Sequence, residues 1–237
     1  MTKHAVILAG GKGTRLRPYT WVLPKPLMPI GEQPILEVVV RQLAYFGFNR
    51  ITMAVNHQAE LIKAFFGSGE KWGVAIDYSM EDTPLGTMGP LKLIKDLSEY
   101  FLIMNGDILT DLKFDKLYSE HVSNKRLFTI SAYQRQQLND YGVLEVDHSH
   151  TLIGFKEKPI VNHLVSMGVY IANRRILEFI PDNKTYGFDT LMHDLMASEK
   201  KVKVEPFNGY WLDIGRPDDY KMAIDEFEIM RSKFIYE

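Results

Sequence analysis

The chain contains no cysteine. A disulfide framework and a thiolate metal site are therefore excluded. No apolar run approaches the ~20 residues that a bilayer-spanning helix needs. A leader peptide is not expected, because a strand-like segment begins within the first few residues. An excess of one charge is missing too: 28 Lys and Arg stand against 30 Asp and Glu, a formal net charge of −2. A domain that binds nucleic acid in bulk is usually markedly basic. Internal repeats, low-complexity tracts and a Pro/Ser-rich linker are also lacking. The 237 residues, 46% of them hydrophobic, supply an ample core for one large domain or two small ones. The expectation is a soluble cytoplasmic protein with neither nucleic acid nor membrane as a partner.

What is present is concentrated at the start. A short apolar stretch, residues 3–9, runs into Gly10-Gly11-Lys12-Gly13-Thr14-Arg15-Leu16-Arg17-Pro18, then Pro24-Lys25-Pro26. Glycines let a backbone approach a phosphate closely, since no Cβ intervenes. Amides in such a turn form an anion-binding concavity. Arg15 adds a planar fork of donors and Lys25 a compact point charge. The order fits neither G-x-G-x-x-G nor G-x-x-x-x-G-K-[ST]. A plain glycine-rich turn with solvated basic residues is the simpler alternative. Arg15, Lys25 and the flanking prolines in one stretch argue for a polyphosphate grip instead.

The first half alternates. Residues 3–9 and 50–55 read as short buried strands, and 74–80 and 100–104 as further strands. Residues 34–46, 59–66 and 89–97 read as helices, with Pro34 suited to a first turn and Gly47 to an end. This alternation predicts a parallel sheet with helices on both faces. Ligands in such sheets bind beyond the carboxyl ends of the strands. The glycine loop and Asn105-Gly106-Asp107 both follow such ends, so they are expected at one crevice. The second half is less regular. Residues 127–133, 142–146, 152–156 and 165–172 have hairpin-like spacing, and 202–207 and 210–212 follow. A last helix opens near Pro217 with Asp218 and Asp219 in its first turn; Tyr220, Ala223, Ile224 and Phe227 share one face. The expected class is α/β: a Rossmann-like mixed, mostly parallel sheet flanked by helices, with a smaller substrate-binding lobe. One domain is expected over 1–237, its nucleotide half at about 1–125 and its substrate half at about 126–237.

Several residues carry chemistry. Asp107, across from a phosphate loop, suits Mg²⁺, which takes one or two carboxylates plus substrate phosphates. The simpler alternative is an Asn-Gly-Asp turn. Asp213, in Trp211-Leu212-Asp213-Ile214-Gly215-Arg216-Pro217, completes such a site or caps the last helix. Glu157-Lys158-Pro159 follows a strand, and the proline predicts an extended Lys158, aimed into a cleft or solvated at a strand end. Gly142, after Tyr141, admits a sugar ring or serves as a hairpin residue. Pro84-Leu85-Gly86-Thr87-Met88-Gly89 is a second glycine turn, with Glu81 ahead of it to accept from a base edge. The seven histidines, His4, His57, His121, His148, His150, His163 and His193, show no ligand spacing and read as structural or surface. A polyphosphate cradle, two carboxylates and separate cations, with no Ser-His or Cys-His nucleophile, point to phosphoryl-group chemistry that needs positioning and charge. A phosphate monoester attacking the α-phosphorus of an NTP needs no protein base.

These motifs carry a family resemblance. Leu8-Ala9-Gly10-Gly11-x-Gly13-Thr14-Arg15-Leu16-x-Pro18, Pro24-Lys25-Pro26-Leu27, Leu85-Gly86-Thr87, Asn105-Gly106-Asp107, Glu157-Lys158-Pro159 and Trp211-x-Asp213-Ile214-Gly215 span nearly the whole chain. In them the sequence resembles the sugar-1-phosphate nucleotidylyltransferases, or nucleotide-sugar pyrophosphorylases. The resemblance implies transfer of a nucleotidyl group from an NTP to a sugar 1-phosphate, giving NDP-sugar and pyrophosphate. It places Leu8, Gly10, Gly11, Gly13 and Thr14 on the nucleotide and Arg15 on the leaving pyrophosphate. It places Lys25 at the α-phosphate, and Asp107 and Asp213 on Mg²⁺, with Asp107 also facing the nucleotide. Gly142, Glu157, Lys158 and Gly168 would bind the sugar phosphate. Glu81 and Gly86 would face the base.

Residues 81–91 look most like mannose-1-phosphate guanylyltransferases. A carboxylate at Glu81 suits guanine, which offers two adjacent edge donors where uracil and thymine offer one. Met88 stands where a small residue is frequent, and Tyr19 where Leu is common. The resemblance implies the short form, without a C-terminal left-handed β-helix, serving surface-glycan synthesis; a homo-oligomer is compatible with it. Uridylyl, thymidylyl or cytidylyl transfer, the last to a non-sugar phosphate such as phosphocholine, remains an alternative. So does a non-catalytic sensor of nucleotide sugars. A glycosyltransferase is disfavoured, because Ile108 and Leu109 follow Asp107 where a D-x-D motif is expected.

Overall fold

The computed structural model describes residues 2–56 and 58–236. Seven strands form the main sheet: β1 (Lys3–Leu8), β2 (Phe48–Val55), β3 (Ala75–Met80), β4 (Tyr100–Asn105), β5 (Phe128–Leu138), β6 (Ile160–Asn173) and β7 (Val202–Phe207). Their order is β7-β5-β6-β4-β1-β2-β3. β1 pairs in parallel with β2 and β4, β2 with β3, and β5 with β7. β6 alone runs antiparallel to both neighbours. The mixed, mostly parallel sheet expected from the sequence is the fold. Its strands come from both halves of the chain.

The first half explains itself chemically. β1 buries His4, Ala5, Val6 and Ile7 completely, as a central strand covered on both faces must. Helix α1 (Ile35–Tyr45) starts directly after Pro34, and α2 (Ala59–Phe66) ends at Gly67. With α3 (Phe114–Ser123) they pack on one face through Leu36, Val39, Leu43, Ile62, Phe66, Phe114 and Leu117. On the other face, α4 (Phe188–Ala197) packs Leu191 and Leu195 against Val6, Phe101 and Ile103.

A third cluster ties the chain's two ends together. Leu16, Met28, Ile30, Ile35 and Val38 from the first residues meet Leu109, Ile214, Tyr220, Ala223, Phe227 and Phe234. The last helices are α5 (Pro217–Phe227) and α6 (Arg231–Phe234). Full burial of a Leu or Ile contributes roughly 1.5–3 kcal/mol, so Leu16 and Ile214, both at 0% exposure, anchor the segments that carry Arg15 and Asp213. The Tyr220 hydroxyl donates to the Pro29 carbonyl at 2.7 Å.

Four sequence expectations need correction. Residues 89–97 are not one helix: a 3-10 turn covers Gly89–Leu93 and Ile94 is extended. Leu91, Ile94 and Leu97 are buried, and their three-residue spacing mimics a helical face. α3 and α4 had no counterpart in the expectation. Ile224 is 44% exposed, whereas Tyr220, Ala223 and Phe227 are buried. Lys158 is not extended but has φ 41°. Glu157 and Lys158 form a bend in the short link between the strand Leu152–Lys156 and β6, which starts at Ile160, and this bend overrides the pre-proline preference.

Candidate active site

Four parallel strands deliver their carboxyl ends to one place. β1 leads to Ala9-Gly10-Gly11, β2 to Asn56, β3 to Glu81 and β4 to Gly106-Asp107. Leu8 and Asn105 are register partners, so the glycine loop and the Asn-Gly-Asp turn lie side by side. A cavity of about 490 Å³ opens there; Gly10, Gly11, Lys25, Glu81, Gly86 and Asp107 are among its lining residues. Leu8 lines it too, with Lys12, Asn56, Pro84, Thr87 and Asn105. A crevice beyond the strand ends is the general ligand position of such sheets.

Two of the loop glycines, Gly10 and Gly13, are sterically constrained, whereas a Cβ at Gly11 would meet nothing within 4 Å. A Cβ at Gly10 would stand 2.7 Å from a Glu81 carboxylate oxygen. Gly13 has φ 59°, and a Cβ there would lie 2.8 Å from Thr20 and 3.2 Å from the Lys25 side chain. The Thr20 hydroxyl donates to the Gly13 carbonyl at 2.7 Å. Gly13 and Thr20 thus set the backing of Lys25. Thr14, exposed, opens the short 3-10 turn Thr14–Leu16.

Lys25 forms an ion pair with Asp107, and its ammonium lies 4.0 Å from Asp213. The two aspartates come from distant parts of the sequence. A two-stranded ribbon brings them together: Ile108–Thr110 pairs antiparallel with Trp211–Asp213, Asp213 opposite Ile108. Burial, then the Asp107 carboxylate, raises the Asp213 pKa, against the lowering charges of Lys25 and Arg15. Asp107 Oδ1 is buried and has no hydrogen-bond partner. An orphaned carboxylate oxygen beside a second carboxylate is the donor set that a hard divalent cation satisfies. No cluster of three or more acidic, His or Cys ligands occurs among the described residues.

A second cavity of about 750 Å³ is lined in part by Arg15, Arg135, Trp211, Asp213 and Arg216. Arg15 belongs here rather than to the first cavity, and a Cβ on Gly215 would meet its guanidinium at 3.4 Å. Gly168 sits where the β5–β6 pairing shifts register, with φ 71°. A Cβ on it would come 2.6 Å from the Asn105 amide. Gly142, Glu157 and Lys158 line neither cavity. They are exposed on an arm built by the hairpin Val143–Val146 and Leu152–Lys156, where Gly142 faces Phe155 and Glu157.

Glu81 is engaged on both oxygens: Asn56 donates to one at 3.1 Å and the Leu85 amide to the other at 3.0 Å. The Leu85-Gly86 loop is also held from the second half. Tyr186 donates its N–H to the Leu85 carbonyl at 2.8 Å and accepts from Met88 and Gly89. Asn56, Thr20, Arg135 and Arg216 were not singled out as site residues in the sequence; only the position of Asn56 just past a strand end hinted at it. Of the histidines, His4 and His121 are buried and His163 lines the second cavity. His57 lies outside the described residues.

The match to known proteins covers this whole arrangement. Residues 4–228 match the nucleotidyl transferase family, and the chain belongs to that family. It is 35% identical over 223 residues to a mannose-1-phosphate guanyltransferase of Yarrowia lipolytica, covering 91% of this chain and 61% of that one. It is 32% identical over 240 residues to a UTP–glucose-1-phosphate uridylyltransferase of Synechocystis, covering 93% and 62%. The crystal structure of HddC from Yersinia pseudotuberculosis complexed with GMP-PN superposes with a TM-score of 0.72 at 27% identity, over 95% of this chain and 100% of that one. The chain spans about three-fifths of the length of these curated relatives. Among the described residues no helix is long and apolar enough to cross a membrane.

Proposed function

We propose that the protein is a sugar-1-phosphate nucleotidylyltransferase that favours GTP. The observation that carries this reading is Lys25, paired with Asp107 and 4.0 Å from Asp213, between a glycine-walled cavity and an arginine-lined one. A fixed cation there faces the charge that develops when an α-phosphate is attacked. Gly10, Gly11, Gly13 and Thr14 hold the nucleotide through backbone amides, Leu8 lies against it, and Glu81 with Gly86 faces the base. Gly142, Glu157, Lys158 and Gly168 serve the sugar phosphate. One domain comprises a nucleotide half and a sugar-phosphate half.

Asp107 and Asp213 would hold Mg²⁺, and the orphaned Asp107 oxygen fits it. Bound there, the ion would neutralise phosphate charge. Lys25 orients the α-phosphate, and the backbone amides exclude water from its oxygens. An oxygen of the sugar 1-phosphate forms the new bond to the α-phosphorus, and the bridging bond to the β-phosphate breaks with its electron pair leaving on pyrophosphate. Arg15 offsets the charge of that leaving group. A cytoplasmic location and a role in supplying surface-glycan synthesis accompany this reading.

Uridylyl transfer is the second reading. It is favoured by the uridylyltransferase relative and by the two internal hydrogen bonds of Glu81. The test of reaction type is label transfer. Label in the α-phosphate of GTP should appear in a nucleotide sugar and label in the γ-phosphate in pyrophosphate. Release of the γ-label as orthophosphate would overturn the proposal.

A further inference from the structure

Residues 182–187, between β6 and α4, grip the 84–89 loop along its length. The Thr185 hydroxyl donates to the Pro84 carbonyl at 2.9 Å. The Tyr186 N–H donates to the Leu85 carbonyl at 2.8 Å, and the Tyr186 carbonyl accepts from the amides of Met88 at 3.0 Å and Gly89 at 3.1 Å. Just past the loop, Lys92 pairs with Asp182 at 3.7 Å and donates to the Leu177 carbonyl at 3.0 Å. The packing is close: Gly86 has φ 78°, and a Cβ on it would stand 2.9 Å from the Tyr186 carbonyl oxygen. Tyr186 is itself anchored. Its side chain is buried in the cluster that holds Met88, Leu191 and Leu195, and its hydroxyl donates to Asp194 on α4 at 2.5 Å.

None of residues 182–187 lines either cavity, whereas Pro84, Gly86 and Thr87 line the first. The segment therefore acts on that cavity through the loop, and Leu85 is the link. Glu81 accepts from its N–H at 3.0 Å, and Tyr186 donates to its C=O. A residue bonded at both its amide and its carbonyl cannot shift without losing one of the two bonds. We propose that Thr185 and Tyr186 are positioning residues for nucleobase selection, setting the shape of the base pocket by fixing the 84–89 loop against α4. The inference rests on the nucleotidyl-transfer reading, in which Glu81 and Gly86 face the base, and deepens it. A loop released from Thr185 or from the Tyr186 anchor samples arrangements of which only a fraction fit the base, and nucleotide affinity falls by that fraction. The residues assigned to the sugar phosphate lie on other segments, so its KM is insensitive to the loop. A contact that served stability alone would leave base preference unchanged in the folded protein.

The test compares the full chain as wild type, Thr185→Val, Thr185→Ser, Tyr186→Phe and the Thr185→Val, Tyr186→Phe double variant. Thr185→Val keeps the side-chain shape and removes the donor, whereas Thr185→Ser keeps the donor. Thr185 is exposed, so its variants should fold, and circular dichroism checks each protein. GTP and UTP are titrated separately by calorimetry with Mg²⁺ and no acceptor. For the tighter nucleotide, affinity should fall about threefold in Thr185→Val and in Tyr186→Phe and about tenfold in the double variant. The ratio of GTP to UTP affinity should move toward one, and Thr185→Ser should stay near wild type. In turnover, the nucleotide KM should rise by the same factors while kcat and the KM for sugar 1-phosphate stay close to wild type. Wild-type nucleotide affinity and base preference in a folded double variant overturn the proposal, as does an equal rise of both KM values. Failure of the transferase reading looks different: the wild-type protein would bind nucleotide yet release no pyrophosphate with any sugar 1-phosphate. A wild type that binds neither nucleotide overturns both.

Discussion

Ile214 donates its backbone N–H to the Asp107 carbonyl at 3.1 Å. This hydrogen bond continues the ribbon in which Asp213 faces Ile108, so the two acidic side chains are neighbours because their backbones are joined. Ile214 is fully buried in the cluster that also holds Leu16. The acidic pair, the Arg15 turn and the last helices are therefore one mechanical unit.

The aspartates can then be changed without loss of this frame. Asp107→Asn and Asp213→Asn keep the backbone ribbon and should fold, with thermal melts near wild type. Each should lower Mg²⁺-dependent turnover on the order of 100-fold. Steady-state pyrophosphate release at a range of Mg²⁺ concentrations checks this. Wild-type turnover in either variant contradicts the metal assignment.

Ile214→Ala attacks the frame itself. A buried Ile truncated to Ala costs about 2–5 kcal/mol through lost transfer energy and a cavity. Urea unfolding should show a lower midpoint, and turnover should fall with the folded fraction. A midpoint unchanged from wild type would show that the cluster does not anchor the site.

Gly168→Ala tests the bulge in β6. Its φ of 71° and a Cβ 2.6 Å from the Asn105 amide predict a loss of about 1–2 kcal/mol from the left-handed backbone alone. Asn105 lines the first cavity and Gly168 is read as serving the sugar phosphate, so the KM for sugar 1-phosphate should rise as well. A sugar-1-phosphate KM equal to wild type would separate Gly168 from the site.

Glu81→Gln keeps one acceptor for Asn56 or Leu85 and removes the charge. If Glu81 reads guanine, the preference for GTP over UTP should erode by about 1–3 kcal/mol, the worth of a two-donor base contact. Ratios of kcat/KM for the two nucleotides measure it. An unaltered ratio assigns Glu81 to holding the 84–89 loop alone.

Two buried histidines set an acid limit on stability. The His4 ring bonds the Thr52 hydroxyl at 2.8 Å and accepts from the Ser98 amide; the His121 ring bonds the Thr129 hydroxyl at 2.7 Å. Burial first, then the charge of Arg50 for His4 and of Arg126 for His121, holds each pKa down at about 4 from an ordinary 6.5. The folded state keeps both rings neutral where the unfolded chain protonates them. Their contribution is therefore intact above pH 6.5 and is lost as pH falls from 6.5 toward 4. The loss is on the order of 3 kcal/mol per ring. Urea midpoints between pH 7.5 and 4.5 should fall in this window, and His4→Gln should flatten part of the slope. A flat profile in wild type would contradict the burial argument.

The sequence shows some of this and hides the rest for physical reasons. The run at residues 3–9 and the β-α-β rhythm of the first half are legible, because β1, β2 and β4 are largely buried. α3 is not, because its buried positions include His121 among polar neighbours. α4 buries only Leu191 and Leu195, too few to mark a face. Asp107 stands out as a strand-end acid, and Asp213 as an acid in a dense motif. Their adjacency depends on a three-residue ribbon that no periodicity reports. Arg135 sits on an exposed strand end, where an arginine in sequence looks like an ordinary solvated residue. Only the geometry places it in the lining of a cavity that Arg15 also lines.

The central claim is nucleotidyl transfer to a sugar 1-phosphate. The most direct measurement is pyrophosphate release with Mg²⁺, with GTP, UTP, dTTP, CTP and ATP each paired with mannose-, glucose-, glucosamine- and heptose-1-phosphate. The account predicts release in the GTP row that depends on a sugar 1-phosphate and stops with EDTA. Folded protein that releases no pyrophosphate from any pair would contradict it.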